Sequence, residues 1–279
     1  MHITADPAEL TERPPGPLIL VPTMGALHPG HLELIRHARD RAGDKATVAV
    51  SIFVNPIQFD RPDDLASYPR TLDDDLEKCR AVGADLVFTP KSDSIFAPDR
   101  SVKVTESSLS TTLCGATRPG HFDGVCTIVL KLFNLFRPDA AIFGEKDYQQ
   151  LAIIRRMVRD LDVPVEILGH PTVRESDGLA LSSRNARLAP DQRADAPRIH
   201  KALVAADSIY HANPGISTAE LLKQTRSEIE SPLNRIDYLQ LVDAETLQPA
   251  TNFLRPALLA TAVFYGEVRL IDNIVLTPH

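Results

Sequence analysis

Short apolar runs alternate with amphipathic stretches along this chain, and that alternation predicts most of its elements. Residues 18–21, Leu-Ile-Leu-Val, form a bounded apolar run of the kind buried on both faces of a parallel sheet. Residues 32–39 are apolar at helical spacing, with their charges on the other face. Pro29 has the fixed φ and missing N–H that suit a first helical position. A second buried run, 47–54, closes at Asn55-Pro56. Strand, helix and strand in succession make a βαβ unit and predict a parallel sheet. Asn55 and Gln58 then stand just past a carboxyl strand end, the edge where open α/β sheets bind ligands.

The pattern continues along the chain. Residues 1–17, with four prolines and little periodicity, read as a loose lead-in, and 61–70 as a polar loop. Thr71 is placed to cap a helix over 72–81, whose Asp73, Asp74 and Asp75 favour its positive end. Residues 85–88 make a third strand, and the stretch to Gly120 is irregular apart from a short strand at 102–105. Val125, Ile128, Val129, Leu132, Phe133 and Phe136 share one helical face. After Arg137-Pro138 come a strand at 140–143, a helix over 148–160 and a fifth strand at 163–168. Beyond Val173 the character changes. A hydroxyl-rich loop (178–185) precedes helices at 190–211 and 218–230 and strands near 236–242 and 258–264. The expected organisation is an α/β domain over 1–172 and a smaller α+β domain over 173–279.

Composition narrows the function classes. A chain of 279 residues, 43% hydrophobic and 24% charged, is that of an ordinary soluble globular protein. A net charge of -7 argues against a general nucleic-acid surface, so any phosphate site must be local. Cys79, Cys114 and Cys126 form no CxxC pair, which fits a reducing cytoplasm better than a disulfide framework. The amino-terminal residues lack a signal-peptide pattern, and the longest apolar stretch, 257–265, is too short to span a bilayer. A cytoplasmic protein without membrane or nucleic-acid partners is the expectation.

The candidate chemistry starts in the turn Met24-Gly25-Ala26-Leu27-His28-Pro29-Gly30-His31. With Pro29 opening the helix, His28 lies at or just before its start and His31 in its first turn. Unpaired N–H groups and the helix dipole make that place a phosphate site, with two imidazoles as extra donors. Metal ligation by the two histidines is the alternative, though no Cys, Asp or Glu completes a familiar zinc spacing. The acidic triplet 73–75 has two readings, dipole compensation on a solvated face and Mg²⁺ binding, of which the first is preferred. Gly144-Glu145-Lys146-Asp147 repeats the strand, turn, helix geometry, so Lys146 can meet phosphate with Gln150 one turn along. Taken alone, Lys146 reads more readily as a solvated lysine.

HxGH early and a Ser-Ser-Arg loop after the parallel-sheet domain resemble the paired signatures of the HIGH/KMSKS nucleotidyltransferase superfamily. Six stretches bring the likeness closer: Pro22 to Gly25, Phe53 to Phe59, Tyr68-Pro69-Arg70, Arg118 to Phe122, Phe143 to Asp147 with Gln149-Gln150, and Asp177 to Asn185. In order and spacing, and on to Arg269-Leu270-Ile271-Asp272-Asn273, they resemble the pantoate–β-alanine ligase family. The resemblance implies a Rossmann-like doubly wound sheet and a C-terminal domain acting as a lid. It implies ATP and pantoate giving pantoyl adenylate and pyrophosphate, then β-alanine giving pantothenate and AMP.

Carried over by position, His28, His31, Lys146, Ser182, Ser183 and Arg184 form the phosphate-facing set. His31, His28, Lys146 and Arg184 are its catalytic members, and His31 is the proton donor to the developing charge. Met24, Gly25, Ala26, Leu27, Pro29, Gly30, Gly144, Glu145, Asp147, Val173 and Leu181 complete the ATP site. Gln58, Gln150 and Asn55 fall to pantoate and β-alanine. Mg²⁺ accompanies ATP, and a homodimer is implied. The sequence departs from the family in a short segment before the first strand and in Cys114, where a glutamate is common. Pro29 replaces a commonly acidic residue. A nucleotidyltransferase with a phosphoester product is the runner-up, but it needs a cationic acceptor pocket where this chain offers Gln58 and Gln150. A nucleotide-binding scaffold without chemistry would not require His28, His31, Lys146 and Arg184 together.

Overall fold

The computed structural model describes residues 1–10, 12–213 and 215–278. In chain order the elements are β1 (His2–Thr4), β2 (Leu18–Thr23), α1 (Pro29–Ala42), β3 (Thr47–Ile52), α2 (Pro62–Ala66), α3 (Leu72–Ala81), β4 (Leu86–Phe88) and α4 (Ser92–Ile95). Next come α5 (Leu113–Thr117), α6 (His121–Phe136), β5 (Ala140–Gly144), α7 (Tyr148–Asp160), β6 (Glu166–His170), α8 (Pro190–Asp195) and α9 (Arg198–Ala212). α10 (Thr218–Ile229), β7 (Arg235–Asp243), β8 (Ala257–Tyr265) and β9 (Val268–Leu276) complete the chain. Two units divide it: 1–107, 118–145 and 150–171 form the first, and 108–117, 146–149 and 172–279 the second.

The first unit is a parallel sheet of six strands in the order β1-β4-β3-β2-β5-β6. Winding runs outward from β2 in one direction and from β5 in the other, which makes the sheet doubly wound. The switch point lies between β2 and β5, so the loops leaving their carboxyl ends flank the place where such sheets take ligands. Ile19, Val21, Val48, Val50, Val87 and Ile142 pack with Leu34, Ile35 and Ala38 of α1 and Cys79 of α3. Burial pushes the Cys79 thiol up to about 12, the nearby Asp75 carboxylate adding to the effect. α6 is apolar nearly all round, and its Phe136 meets Phe88 of β4 edge-on at 5.6 Å. With both faces covered, the strands read as continuous apolar runs.

The second unit holds an antiparallel sheet in the order β7-β8-β9, with β8 and β9 joined through Gly266-Glu267. Gly266 takes φ +57°, the left-handed region that glycine occupies without a Cβ penalty. Leu203, Ala206 and Tyr210 of α9, Leu221 and Ile229 of α10, and Leu259, Val263 and Tyr265 of β8 share one core.

Several expectations need correction. The lead-in is not loose: His2, Ile3 and Thr4 pair with Leu86, Val87 and Phe88, and a 3-10 turn follows at Pro7–Leu10. Three residues are too few to show a period of two. Residues 61–70 contain α2, opened by Pro62 at its first turn. Residues 102–105 form no strand. Val104 N–H donates to Thr127 Oγ1 of α6 at 3.0 Å, and Lys103 pairs with Asp123, so a helix takes the bonds a sheet would have made. The helix expected over 190–211 is two, α8 and α9, because Pro197 lacks the N–H that would continue it. The fifth strand runs later than expected, at Glu166–His170, and β9 was not foreseen as a strand. Thr71 stands before α3, but its hydroxyl makes no cap bond. Among the described residues no helix is long and apolar enough to cross a membrane, and the three cysteines are free thiols, all buried.

Candidate active site

In the first unit, β2 ends at Thr23 and the chain turns sharply through Gly25 (φ +79°) and Ala26 (φ +50°) before α1. A non-glycine residue at positive φ persists only where its surroundings hold it. Asp75 holds it. The side chain is 1% exposed, and its two oxygens accept from Ala26 N–H at 2.9 Å and Leu27 N–H at 2.7 Å. Lys78, one turn along α3, pairs with Asp74 at 2.6 Å and donates to the Leu27 carbonyl at 2.7 Å. The preferred reading of the triplet as a solvated acidic face is therefore wrong for Asp75. Mg²⁺ does not fit the triplet either, because Asp75 is committed to two amides and Asp74 to an ammonium. Among the described residues no group of three His, Cys, Asp or Glu side chains converges on a metal position.

The clamped turn delivers His28 to the N-cap and Pro29 to the first helical position of α1, as the spacing predicted. His31 N–H donates to the His28 carbonyl at 2.8 Å, and His28 N–H reaches His31 Nδ1 at 3.4 Å. The rings lie 4.0 Å apart between centroids. A donor aimed at Nδ1 requires a lone pair there, so neutral His31 carries its proton on Nε2. That nitrogen is then a hydrogen-bond donor.

Beyond β3, Asn55 and Gln58 bracket a 3-10 turn, Pro56–Gln58. Asn55 Nδ2 donates to Gln58 Oε1 at 2.8 Å and to the Gly124 carbonyl at 3.1 Å. Gln58 Nε2 lies 3.2 Å from Met24 Sδ, so Met24, Asn55 and Gln58 are brought together. A Cβ on Gly124 would come within 2.5 Å of the Ile57 carbonyl, and this close approach is why α6 carries glycine there. Asn55 is 1% exposed, and its Oδ1 lacks a hydrogen-bond partner among the described residues, an acceptor left for a donor from outside. His121 Nδ1 donates to the Gln58 carbonyl at 2.7 Å, and Arg118 pairs with Asp60 at 2.8 Å. Burial pushes the Asp60 carboxyl up, but the Arg118 hydrogen bond and charge outweigh it and hold it below the usual range. Gly144 closes β5, Glu145 follows, and Gln150 stands half-buried in the first turn of α7.

In the second unit, Lys146 is half-buried, its ammonium 3.5 Å from the Asp147 carboxylate. Residues 173–181 fold back on themselves: Leu181 N–H donates to the Val173 carbonyl at 3.0 Å, bringing those two predicted residues together. Ser182 caps the 3-10 turn Ser183–Arg187 by accepting from Arg184 N–H at 3.2 Å. Arg193 bridges Glu175 and Asp177 at 2.7 Å each. Its hydrogen bond, outweighing burial, holds the Asp177 carboxyl below the usual range. Lys146 and Ser182 line one small pit with Leu179, Ala180 and Asp272. Cys114, where an acid was expected, puts its sulfur 3.3 Å from the Tyr238 hydroxyl and 3.5 Å from Arg269 Nη1. Arg269 also pairs with the Asp237 carboxylate, at 2.8 Å. Asp75 and Arg193 escaped the sequence reading. Asp75 shares a stripe at i, i+4 and i+7 with Cys79 and Val82, a face too apolar for a merely solvated acid.

The comparisons agree with this architecture. A family profile described as pantoate-beta-alanine ligase matches residues 6–275. The pantothenate synthetase of Akkermansia muciniphila is 55% identical over 260 residues, 93% of this chain and 92% of that protein. A crystal structure of pantothenate synthetase from Thermus thermophilus superposes with a TM-score of 0.93 at 44% identity, covering 100% of both chains. Pantoate-beta-alanine ligase from Francisella tularensis, complexed with beta-gamma ATP and beta-alanine, gives 0.80 at 32% identity, covering 99% of this chain and 97% of that one. The protein is thus an enzyme of the ligase class. The chain belongs to the pantoate–β-alanine ligase family.

Proposed function

We propose that the enzyme activates pantoate with ATP and passes the pantoyl group to β-alanine. A pantoate carboxylate oxygen attacks the α-phosphorus, forming a C–O–P linkage as the bond to the β-phosphate breaks and pyrophosphate leaves. The β-alanine amine then attacks the acyl carbon, losing a proton. The amide bond forms, the acyl C–O bond breaks, and AMP departs with pantothenate as the product. Because pantoate brings its own nucleophile, the protein needs only to align it and stabilise the departing charge. The observation that carries the reading is the turn before α1, where Asp75 holds the backbone that sets two imidazoles at a helix N-terminus. The relative's complex with beta-gamma ATP and beta-alanine supports it.

In this reading His28, His31, Lys146, Ser182, Ser183 and Arg184 face the phosphates, with His31 as proton donor. Met24, Gly25, Ala26, Leu27, Pro29, Gly30, Gly144, Glu145, Asp147, Val173 and Leu181 surround the nucleotide. Mg²⁺ would accompany ATP and neutralise charge on its phosphates. Asn55, Gln58 and Gln150 take pantoate, the orphaned Asn55 oxygen accepting from a hydroxyl. The test is exchange of labelled pyrophosphate into ATP. Exchange that requires pantoate and proceeds without β-alanine is the expected result, and exchange driven by β-alanine alone would overturn the order of steps.

Gln58→Leu checks the pantoate pocket separately. Its amide is uncharged, so it can hold a carboxylate without lowering the carboxylate's power to attack. Loss of the amide is expected to weaken pantoate binding by roughly 1–3 kcal/mol, the cost of unpaired polar groups, with KM for ATP hardly changed. Steady-state titration of both substrates decides it, and an equal loss for ATP would move the pocket elsewhere.

A further inference from the structure

We infer that Asp272 and Asn273 are positioning residues that set the spacing between Lys146 and the Ser182, Ser183, Arg184 turn. The inference rests on the proposed phosphate-facing roles of those groups. Asp272 and Asn273 are neighbours on β9, and successive strand residues face opposite sides. One short piece of backbone can therefore hold two different elements.

On one side, Asn273 Nδ2 donates to the Lys146 carbonyl at 2.9 Å, fixing the main chain that carries the ammonium. On the other, both Asp272 oxygens accept from Arg174, at 2.7 and 2.9 Å. Asp272 is only 5% exposed, so this forked pair is shielded from competing water. Arg174 Nη1 also donates to the Gly178 carbonyl at 3.2 Å, and Arg174 bridges to Ala180 in an isolated antiparallel pair. From Ala180 the constraint passes onward, because Asn185 Nδ2 donates to its carbonyl at 3.1 Å and Asn185 N–H to the Ser182 carbonyl at 3.0 Å.

β9 is itself held, with Asp272 opposite Thr261 and Asn273 opposite Ala260 of the buried β8. The pit where Lys146 and Ser182 meet has Asp272 in its wall, with room for about one water. A step that stabilises leaving pyrophosphate loses rate steeply when its groups move by an ångström. Neither β9 residue need touch substrate to matter.

The experiment is pantoate-dependent pyrophosphate exchange by the full-length enzyme. Asn273→Ala is expected to lower its kcat on the order of 10- to 100-fold, with KM for pantoate unchanged. Added to Lys146→Ala, the same change is expected to cost nothing further, since residues acting as a unit are non-additive. A folded Asn273→Ala enzyme with wild-type kcat, or a loss that adds in full to that of Lys146→Ala, overturns the inference. Should Asn273→Ala fail to fold, Asp272→Asn keeps the shape of the clamp and reads the same split between kcat and KM. Wild-type enzyme without pantoate-dependent exchange sinks the functional reading instead, and this inference with it.

Discussion

Lys146→Ala is expected to fold as the wild type does and to lose pantoate-dependent pyrophosphate exchange by on the order of 10²–10³-fold, the usual loss for a group that meets transition-state charge. Its side chain lies outside the apolar cores and pairs with an Asp147 carboxylate that is half exposed, an interaction of small net worth. The main-chain carbonyl survives the substitution, so the tie to Asn273 survives with it. Stability and chemistry are therefore separable at this residue. Thermal melting reads the first and exchange the second. A folded variant that exchanges at the wild-type rate would remove Lys146 from the site.

Asp75→Ala is expected to damage both. Two amides lose a buried, charged acceptor, and hydrogen bonds of that kind are worth about 1.5–3 kcal/mol each. Water entering the vacated space recovers part of the loss, leaving a destabilisation of about 2–4 kcal/mol. In what remains folded, Ala26 has lost the support for its positive φ, so the turn relaxes and His28 and His31 leave their mutual geometry. Adenylate formation should fall by more than the unfolded fraction accounts for. Asp74→Ala is the control, since Asp74 is exposed and pairs with Lys78 on its own helix. Equal behaviour of the two variants, in denaturant titration and in exchange, would refute the clamp.

The two residues mark what the sequence could disclose. The turn before α1 was legible because its determinants are local: a buried run, a proline at the first helical position and a histidine before it. The same holds for α7, whose bounds the periodicity predicted as the structure has them. Asp75 was not legible because its partners lie 48 and 49 positions away, and a first-turn aspartate already has a sufficient local explanation in the helix dipole. Residues 102–105 misled for the opposite reason. They have strand character, but whether an extended segment becomes a strand depends on who accepts its bonds, and here that is a helix. Pro197 did announce its break, yet apolar spacing persists across it and masks the two helices as one.

β1 has a consequence for how the sheet opens. It contributes three pairs only, residue 2 against residue 86 through residue 4 against residue 88, at one margin of the sheet, and its Ile3 is 40% exposed. Strands β2, β3 and β4 can pair without it, whereas β1 has no partner until β4 is in place. So β1 docks last in assembly and leaves first in a native-state fluctuation, at a cost far below that of global unfolding. When it leaves, the β4 groups that β1 had paired, among them the Asp85 carbonyl and the Thr89 N–H, meet solvent, and the fold briefly presents a raw parallel edge. Slow hydrogen exchange will thus be confined to the inner strands, and the first step of any unwanted self-association of this enzyme begins at β4.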